Sequence, residues 1–423
     1  MGDFSGPDLI SDLPQSIIET ILIQLPIRDA VRTSILSRKW RYKWSTITQL
    51  VFDEKCYPNC HDREAVQKSV VEFITRLLFL HQGPIHKFQI VNTSLQNCSA
   101  INQWILFLSR NDIKDLDLEL AEGGEFFRMP SCFFGCEKLT RLELSRCELD
   151  PPASFKGFSC LKSLNLHQVL ISPEAIESLI SSCPLLESLS LSYFDCLALT
   201  VCAPNLKYLC LEGEFKEICL VDTPLLVELS VAMYMTDDVA EHMEQSSTCN
   251  FVKFLGGVPN LERLVGLIDF TKYLSIGNDL GRLSIMYNNL ETIEMYQVSF
   301  EDMKEILVVL RLITSSPNLK ELHISGSSNI SAATYAAGFE FWEKECPTDS
   351  ILSQLKVVKL TEMSGVPHEI EFIKFLLGCS PALETMSIIP SMYDLECQLK
   401  MLVELMKFRR ASTKAEIYFI RGD

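Results

Sequence analysis

No apolar run in the 423-residue sequence approaches the roughly 18 residues of a membrane-spanning helix. The first residues, "MGDFSGPDLI", lack the basic start and apolar stretch of a secretory signal. Both absences argue for an intracellular chain with no membrane role. Low-complexity tracts are missing too, and 47% hydrophobic with 22% charged residues is the composition of an ordered globular protein. Positive charge is scarce. Lys and Arg number 38 against 55 Asp and Glu, a net charge of -17, so the chain as a whole repels phosphate backbones. No Gly-rich phosphate loop with its lysine, no Gly-x-Ser-x-Gly elbow and no dinucleotide fingerprint is present. The expectation is a non-enzyme that carries no cofactor and binds no nucleic acid.

Cysteine is plentiful, at 16, and three Asn-x-Ser/Thr tripeptides begin at Asn92, Asn97 and Asn329. In a reduced compartment the thiols are free, and most lie beside leucines, where they pack as small hydrophobes. "CYPNCH", Cys56 to His61, has soft ligands at zinc-like spacing, yet no second pair stands at a typical distance downstream, so we expect no metal. "HEIEF" at His368 opens like a zinc-protease helix but has Phe372 where the second histidine belongs; "CFFGC" at Cys132 reads as core. The terminal "RGD" is a coincidence.

What is present begins with residues 8–50. Leu13, Ile17, Ile18, Ile21, Leu22 and Leu25 follow helical spacing, with Asp12 to cap, Pro14 in the first turn and Pro26 to stop. A short second helix carries Ile27, Ala30, Val31 and Ile35 on one side. A third contains "SILSRKWRYKW", Ser34 to Trp44. On a helix, Leu36, Trp40, Trp44 and Ile47 span an arc of roughly 80°, while Arg38, Lys39 and Arg41 point elsewhere. A single-strand nucleic-acid platform needs rings and cations together, whereas this arrangement separates them into a packing stripe and a basic rim.

From Ile113 an apolar-x-x-apolar-x-apolar unit recurs eleven times, as in "LTRLEL", "LKSLNL", "LKELHI" and "LETMSI"; the copy at Leu261 ends on Gly266. Prolines 184, 204, 224, 259, 317 and 381 stand two places before a leading leucine. Helical segments such as "SPEAIESLISSCP" alternate with stretches such as "LALTVCAP" that are too short or too β-branched for a helix. Units of this kind stack into a curved solenoid. Residues 51–110 read as a long helix, a Gly83-Pro84 turn, a strand and another helix, forming a junction and cap.

Asp8 to Trp44 resembles the F-box in its Leu-Pro opening, Ile-Leu-x-x-Leu-Pro middle and Leu-Ser-x-x-Trp-x-x-x-Trp ending. The units over 111–350 resemble the irregular leucine-rich repeats of plant F-box proteins, and 351–423 resembles the FBD domain that follows them. The resemblance implies an α+β chain: a small three-helix F-box, then an irregular α/β leucine-rich-repeat solenoid closed by an FBD domain. It also implies a substrate adaptor of a cullin-RING ubiquitin ligase, nuclear or cytoplasmic, bound through a Skp-type adaptor to a cullin. A repeat scaffold or inhibitor without ligase function is the alternative. Carried over by position, the adaptor-binding residues are Leu13, Pro14, Ile17, Ile21, Leu22, Leu25, Pro26, Ala30, Val31, Leu36, Ser37, Trp40 and Trp44. Six basic residues against Asp29 within 27–44 suit an acidic partner.

Strand alternation sends every second residue of a repeat to the concave surface. Candidate contacts to an unknown protein substrate there are Asp115, Asp117, Arg141, Glu143, Tyr208, Glu228, Arg263, Glu294, Glu321, His323 and Lys359.

Overall fold

The computed structural model describes residues 10–53, 56, 62–91, 95, 98–120, 125–235, 250–276, 286–327, 341–342, 352–391 and 395–420. The chain divides between Tyr193 and Phe194 into two compact units. The acceptor asparagines Asn92, Asn97 and Asn329, Cys60 with His61 of "CYPNCH", and the terminal "RGD" lie outside the described residues.

The first unit opens with helix α1 (Gln15–Ile23) and helix α2 (Ile27–Arg32). Pro14 is the N-cap of α1, and Asp12 pairs with Lys39 at 2.8 Å instead of capping. Pro26 is the N-cap of α2. The expected third helix is not continuous. Two short 3-10 helices, Thr33–Ile35 and Lys43–Thr46, are joined by turns, so the 100° projection does not apply across residues 34–47. Ile35, expected on the packed side of α2, is exposed.

Strand β1 (Gln49–Phe52) follows, then helix α3 (Arg63–Leu80), strand β2 (Lys87–Val91), helix α4 (Ala100–Leu108) and strand β3 (Asp115–Glu119). Asp62 caps α3 by accepting from the backbone N–H of Glu64 and Ala65. Trp104 Nε1 donates to Thr75 Oγ1 at 3.0 Å and ties α4 to α3. Beyond the two-residue strand β4 (Phe127–Arg128) come β5 (Arg141–Ser145), then β6 (Cys147–Glu148), which pairs with β4. Strand β7 (Ser163–His167), helix α5 (Pro173–Ser181) and the start of β8 (Ser188–Cys202) complete the unit. Strands β1, β2, β3, β5, β7 and β8 are parallel neighbours in chain order. β1 is a ladder strand outside the eleven units counted from Ile113, although Ile47, Leu50 and Phe52, all buried, satisfy the same template.

In the second unit β9 (Tyr208–Val221), β10 (Glu228–Met233), β11 (Arg263–Gly266), β12 (Thr292–Val298), β13 (Glu321–Gly326), β14 (Val357–Met363), β15 (Thr385–Pro390) and β16 (Glu416–Phe419) form a parallel ladder in chain order. Helices α6 (Asn250–Leu255), α7 (Phe270–Ser275), α8 (Met303–Thr314), α9 (Pro367–Cys379) and α10 (Leu395–Lys407) lie in the connections. Where the connection is short, the chain stays extended, which gives β8 15 residues and β9 14.

Three local rules repeat. Pro184, Pro204, Pro224, Pro317 and Pro381 each occupy the second position of a turn closed by the following leucine N–H, as in Leu186 N to Cys183 O at 3.1 Å. Proline's fixed φ thus sets the corner leading into each strand. The second and fourth strand positions are buried: Leu142 with Leu144, Leu322 with Ile324, Val358 with Leu360. Five sixth positions, Arg146, Gln168, Tyr193, Gln297 and Glu362, have left-handed φ of 53° to 58°, and the ladder register shifts beside the last two.

Gly266, the template failure, has its reason in packing. A Cβ there would lie 2.5 Å from Met295 Sδ and Phe270 Cδ1, because the fully buried Phe270 ring fills the space a leucine side chain takes elsewhere.

Candidate protein-docking surfaces

The N-terminal helices sort their apolar residues two ways. Ile18, Leu22, Ile27, Ala30, Trp40, Trp44 and Ile47 are buried and form the core of this small unit. A polar clasp closes it: Gln15 Nε2 donates to Thr46 Oγ1 at 2.9 Å, Thr46 Oγ1 donates to Glu19 Oε1 at 2.7 Å, and Lys43 Nζ donates to Gln15 Oε1 at 2.8 Å. Trp40 Nε1 donates to Ser11 Oγ at 2.8 Å. Of the thirteen expected docking residues, Leu22, Ala30, Trp40 and Trp44 are therefore inside. Leu13, Pro26, Val31 and Ser37 are half-buried. Pro14, Ile17, Ile21, Leu25 and Leu36 are on the surface, joined by Ile10 and Ile35, which position-matching passed over. Ile17 and Ile21, four apart, share one face of α1, and the exposed Leu25 follows just past its end.

The basic rim is partly engaged. Arg32 pairs with Asp29 at 3.2 Å, Lys39 with Asp12, and the Arg28 guanidinium lies 5.4 Å from the centroid of the Phe73 ring on α3. That stacking joins a weld between the helical segment and the first strands. His81 Nε2 bonds Ile47 O at 2.8 Å, Gln82 N donates to Ser45 O at 2.7 Å and His86 N to Thr48 O at 2.8 Å. His81 is buried, and desolvation lowers its pKa, so it stays neutral and can accept from Gly83 N–H while bonding Ile47 O.

The strand register defines the second surface. First and third positions form columns facing solvent. In the first unit Arg141 and Glu143 pair with each other at 2.5 Å, beside Asp115 and Asp117. Lys87 lies 3.6 Å from Asp115. Burial, then the charge of Glu143, pushes the Asp117 carboxyl up to about 7, while Gln89 Nε2 donates to it at 2.7 Å.

In the second unit the candidates converge. Arg263 Nη2 meets Glu294 Oε1 at 2.6 Å, with Glu228 4.0 Å from Arg263 Nε. Tyr296 OH donates to Glu294 Oε2 at 2.9 Å and lies 3.1 Å from His323 Nδ1; the two rings meet edge to face. His323 Nε2 lies 3.4 Å from Thr361 Oγ1. Burial, then Lys359, lowers the His323 pKa against the pull of Glu294. Tyr208 shares the first-position column with Glu228 and Arg263, and Glu321 shares it through Thr292. Sequence reasoning missed Tyr296 and Thr361. Both are fifth-position residues, and the short repeat template ends one step before them. The candidate face is thus two clusters, Asp115, Asp117, Arg141 and Glu143 in one unit and the other seven candidates in the second.

Eleven of the described cysteines, Cys56, Cys136 and Cys147 among them, form no disulfide, and no group of three or more His, Cys, Asp or Glu among the described residues could hold a metal ion. Burial pushes the Cys56 thiol up to about 11 and Cys136 and Cys147 up to about 12, which makes them poor nucleophiles. No helix of the described residues is long and apolar enough to cross a membrane.

Comparison with known sequences decides what these surfaces belong to. Residues 10–48 match the F-box domain, 101–324 match "FBD-associated F-box protein At5g56370, LRR repeats" and 343–388 match FBD. F-box/FBD/LRR-repeat protein At1g13570 of Arabidopsis thaliana is 59% identical over 98% of this chain and 99% of its own length. The chain belongs to the plant F-box/FBD/LRR-repeat family. FBD-associated F-box protein At4g10400 of the same plant is 27% identical over 97% of this chain and 100% of its own length. F-box/LRR-repeat protein At4g14096, also from Arabidopsis thaliana, is 29% identical over 91% of this chain and 88% of its own. The family is non-catalytic and acts in substrate adaptation for Skp-cullin-F-box ubiquitin ligases.

Proposed function

We propose that this F-box/FBD/LRR protein is the substrate-recognition subunit of a Skp-cullin-F-box ligase, working in the nucleus or cytoplasm. The Skp-type adaptor, and through it a cullin, docks on the apolar surface of Pro14, Ile17, Ile21, Leu25 and Leu36. The carrying observation is that these five large or rigid apolar residues stay exposed on a unit whose own core is already filled by Trp40, Trp44, Leu22 and Ala30. An exposed apolar patch of that kind is costly in solution and marks a partner site. Arg38 and Arg41, exposed at its edge, accelerate encounter with an acidic adaptor.

The target protein is held on the polar columns of the repeats, with the FBD region over 351–423 extending the same ladder. The ligase then transfers ubiquitin elsewhere, and this chain contributes proximity and orientation. The weld through His81, Gln82 and His86 suits that task, because a helical unit fixed to the first strands cannot swing freely on a linker.

A purified Skp-type adaptor tests the reading. Wild type retains it in a pull-down; Ile17→Glu with Ile21→Glu loses it while keeping its circular dichroism. A protein partner co-purified with the chain is ubiquitinated when the complete ligase is added. Undiminished adaptor binding by the double variant refutes the docking surface, and a bound partner that is never modified supports a scaffold instead.

A further inference from the structure

The last repeat is patterned as an interior repeat. In α10, Met401 and Leu405 are buried, while Leu399, Val403 and Met406 are 61%, 53% and 76% exposed. At about 100° per residue these three fall on one stripe, nearly opposite the buried pair. Together the two faces make most of the helix apolar, as suits a helix with a neighbour on each side. The strand behaves likewise. Ile417 and Phe419 are in register with Met386 and Ile388 of β15, which are fully buried, yet they themselves are only half-buried. Among the described residues β16 ends the ladder order, with no described strand along one edge of its backbone. A solenoid end is ordinarily closed by a repeat with a polar outer face, and an unpaired edge accepts an added strand.

Charge indicates what covers this end. In a chain of net charge -17, residues 405–414 contain Lys407, Arg409, Arg410 and Lys414 and no acid. All four are exposed; Lys407 is already paired with Glu404 at 2.5 Å, which leaves Arg409, Arg410 and Lys414 to meet a partner. A second copy would bring the same cations together, which disfavours self-pairing. An anionic lipid surface would meet the cations and the apolar stripe but could not pair the open strand edge.

We propose that the C-terminal end of the ladder docks an acidic polypeptide segment, which adds a strand alongside β16 and lays apolar side chains over Leu399, Val403 and Met406. Its carboxylates face Arg409, Arg410 and Lys414. The main-chain bonds give affinity and the alternating side chains give selectivity, as in strand addition generally.

A labelled synthetic peptide alternating Glu with Val and Leu, and a second with every Glu replaced by Lys, are titrated against the full chain. The acidic peptide binds saturably, more weakly as salt rises, and slows amide exchange at residues 417–420. Val403→Glu with Met406→Glu weakens it by roughly tenfold or more, as does Arg409→Glu with Arg410→Glu. Both pairs are exposed, and unchanged thermal melting confirms the fold. Equal binding of the Lys peptide, no binding of the acidic one, or an affinity indifferent to both variant pairs overturns the proposal. So does capture by phosphatidylserine vesicles without peptide binding, or a concentration-dependent dimer abolished by Met406→Glu.

Discussion

Ile21 and Leu22 are neighbours in the sequence with opposite fates, and replacing each by alanine separates folding from docking. Leu22 is 1% exposed in the core of the helical unit. Leu22→Ala removes buried methyl groups and leaves a cavity, at a cost of about 2–5 kcal/mol. Ile21 keeps 43% of its surface exposed on the free chain. Full burial of such a side chain is worth about 1.5–3 kcal/mol, so docking that covers the remaining part gains roughly 1 kcal/mol, about fivefold in affinity. Urea unfolding followed by tryptophan fluorescence reports the unit once Trp104 and Trp342 are replaced by phenylalanine in the background of every variant, because Trp40 and Trp44 are buried in it. Calorimetric titration with the Skp-type adaptor reports docking. Leu22→Ala should lower the unfolding midpoint, and Ile21→Ala should leave it in place while weakening the adaptor about fivefold. An Ile21→Ala variant that unfolds early yet binds normally would refute this division of the helix.

Three further outcomes are expected. Burial raises the Glu305 carboxyl to about 7, opposed by donation from Thr271 Oγ1 and Ser299 N. A raised carboxyl binds its proton more tightly in the folded state, so its stabilising contribution is complete below the ordinary 4.5 and is lost as pH rises through about 7. Glu305→Gln should therefore flatten the fall in stability over that range, measured by urea midpoints against pH; it removes only part, because Glu369 is raised the same way. Gly266→Ala forces a Cβ against Phe270 and Met295 and should cost about 1–3 kcal/mol in thermal or urea unfolding. Arg263→Glu disrupts the cluster with Glu228 and Glu294, and should abolish retention of the target protein while adaptor affinity holds, which parallel pull-downs would show.

Much of this architecture was legible because its signals are local and periodic. Ser172 accepts from Ala175 N and Asp302 from Lys304 N, placing the starts of α5 and α8 where their caps stand in the sequence. The leucine units became ladder strands because alternation buries the second and fourth positions whatever the neighbour. The errors share a cause as well. Helical projection grouped Leu36 with Trp40, but the backbone between them turns, so one is exposed and the other buried. Matching by position treated Leu22 and Ile21 alike, although tertiary packing buries the first and leaves the second exposed.

The sequence by itself determined the order of parts, the strand positions, the proline corners and the family, since each rests on short-range pattern or on residue identity along the chain. Only the tertiary structure decided which apolar residues of the F-box fill its core and which stay exposed. It also joined Arg263, Glu294, Tyr296 and His323 into one cluster, and gave Gly266 its reason. Those outcomes depend on contacts between residues about 30 positions apart, such as Arg263 with Glu294 and Tyr296 with His323. No local period encodes them; parallel strand stacking does.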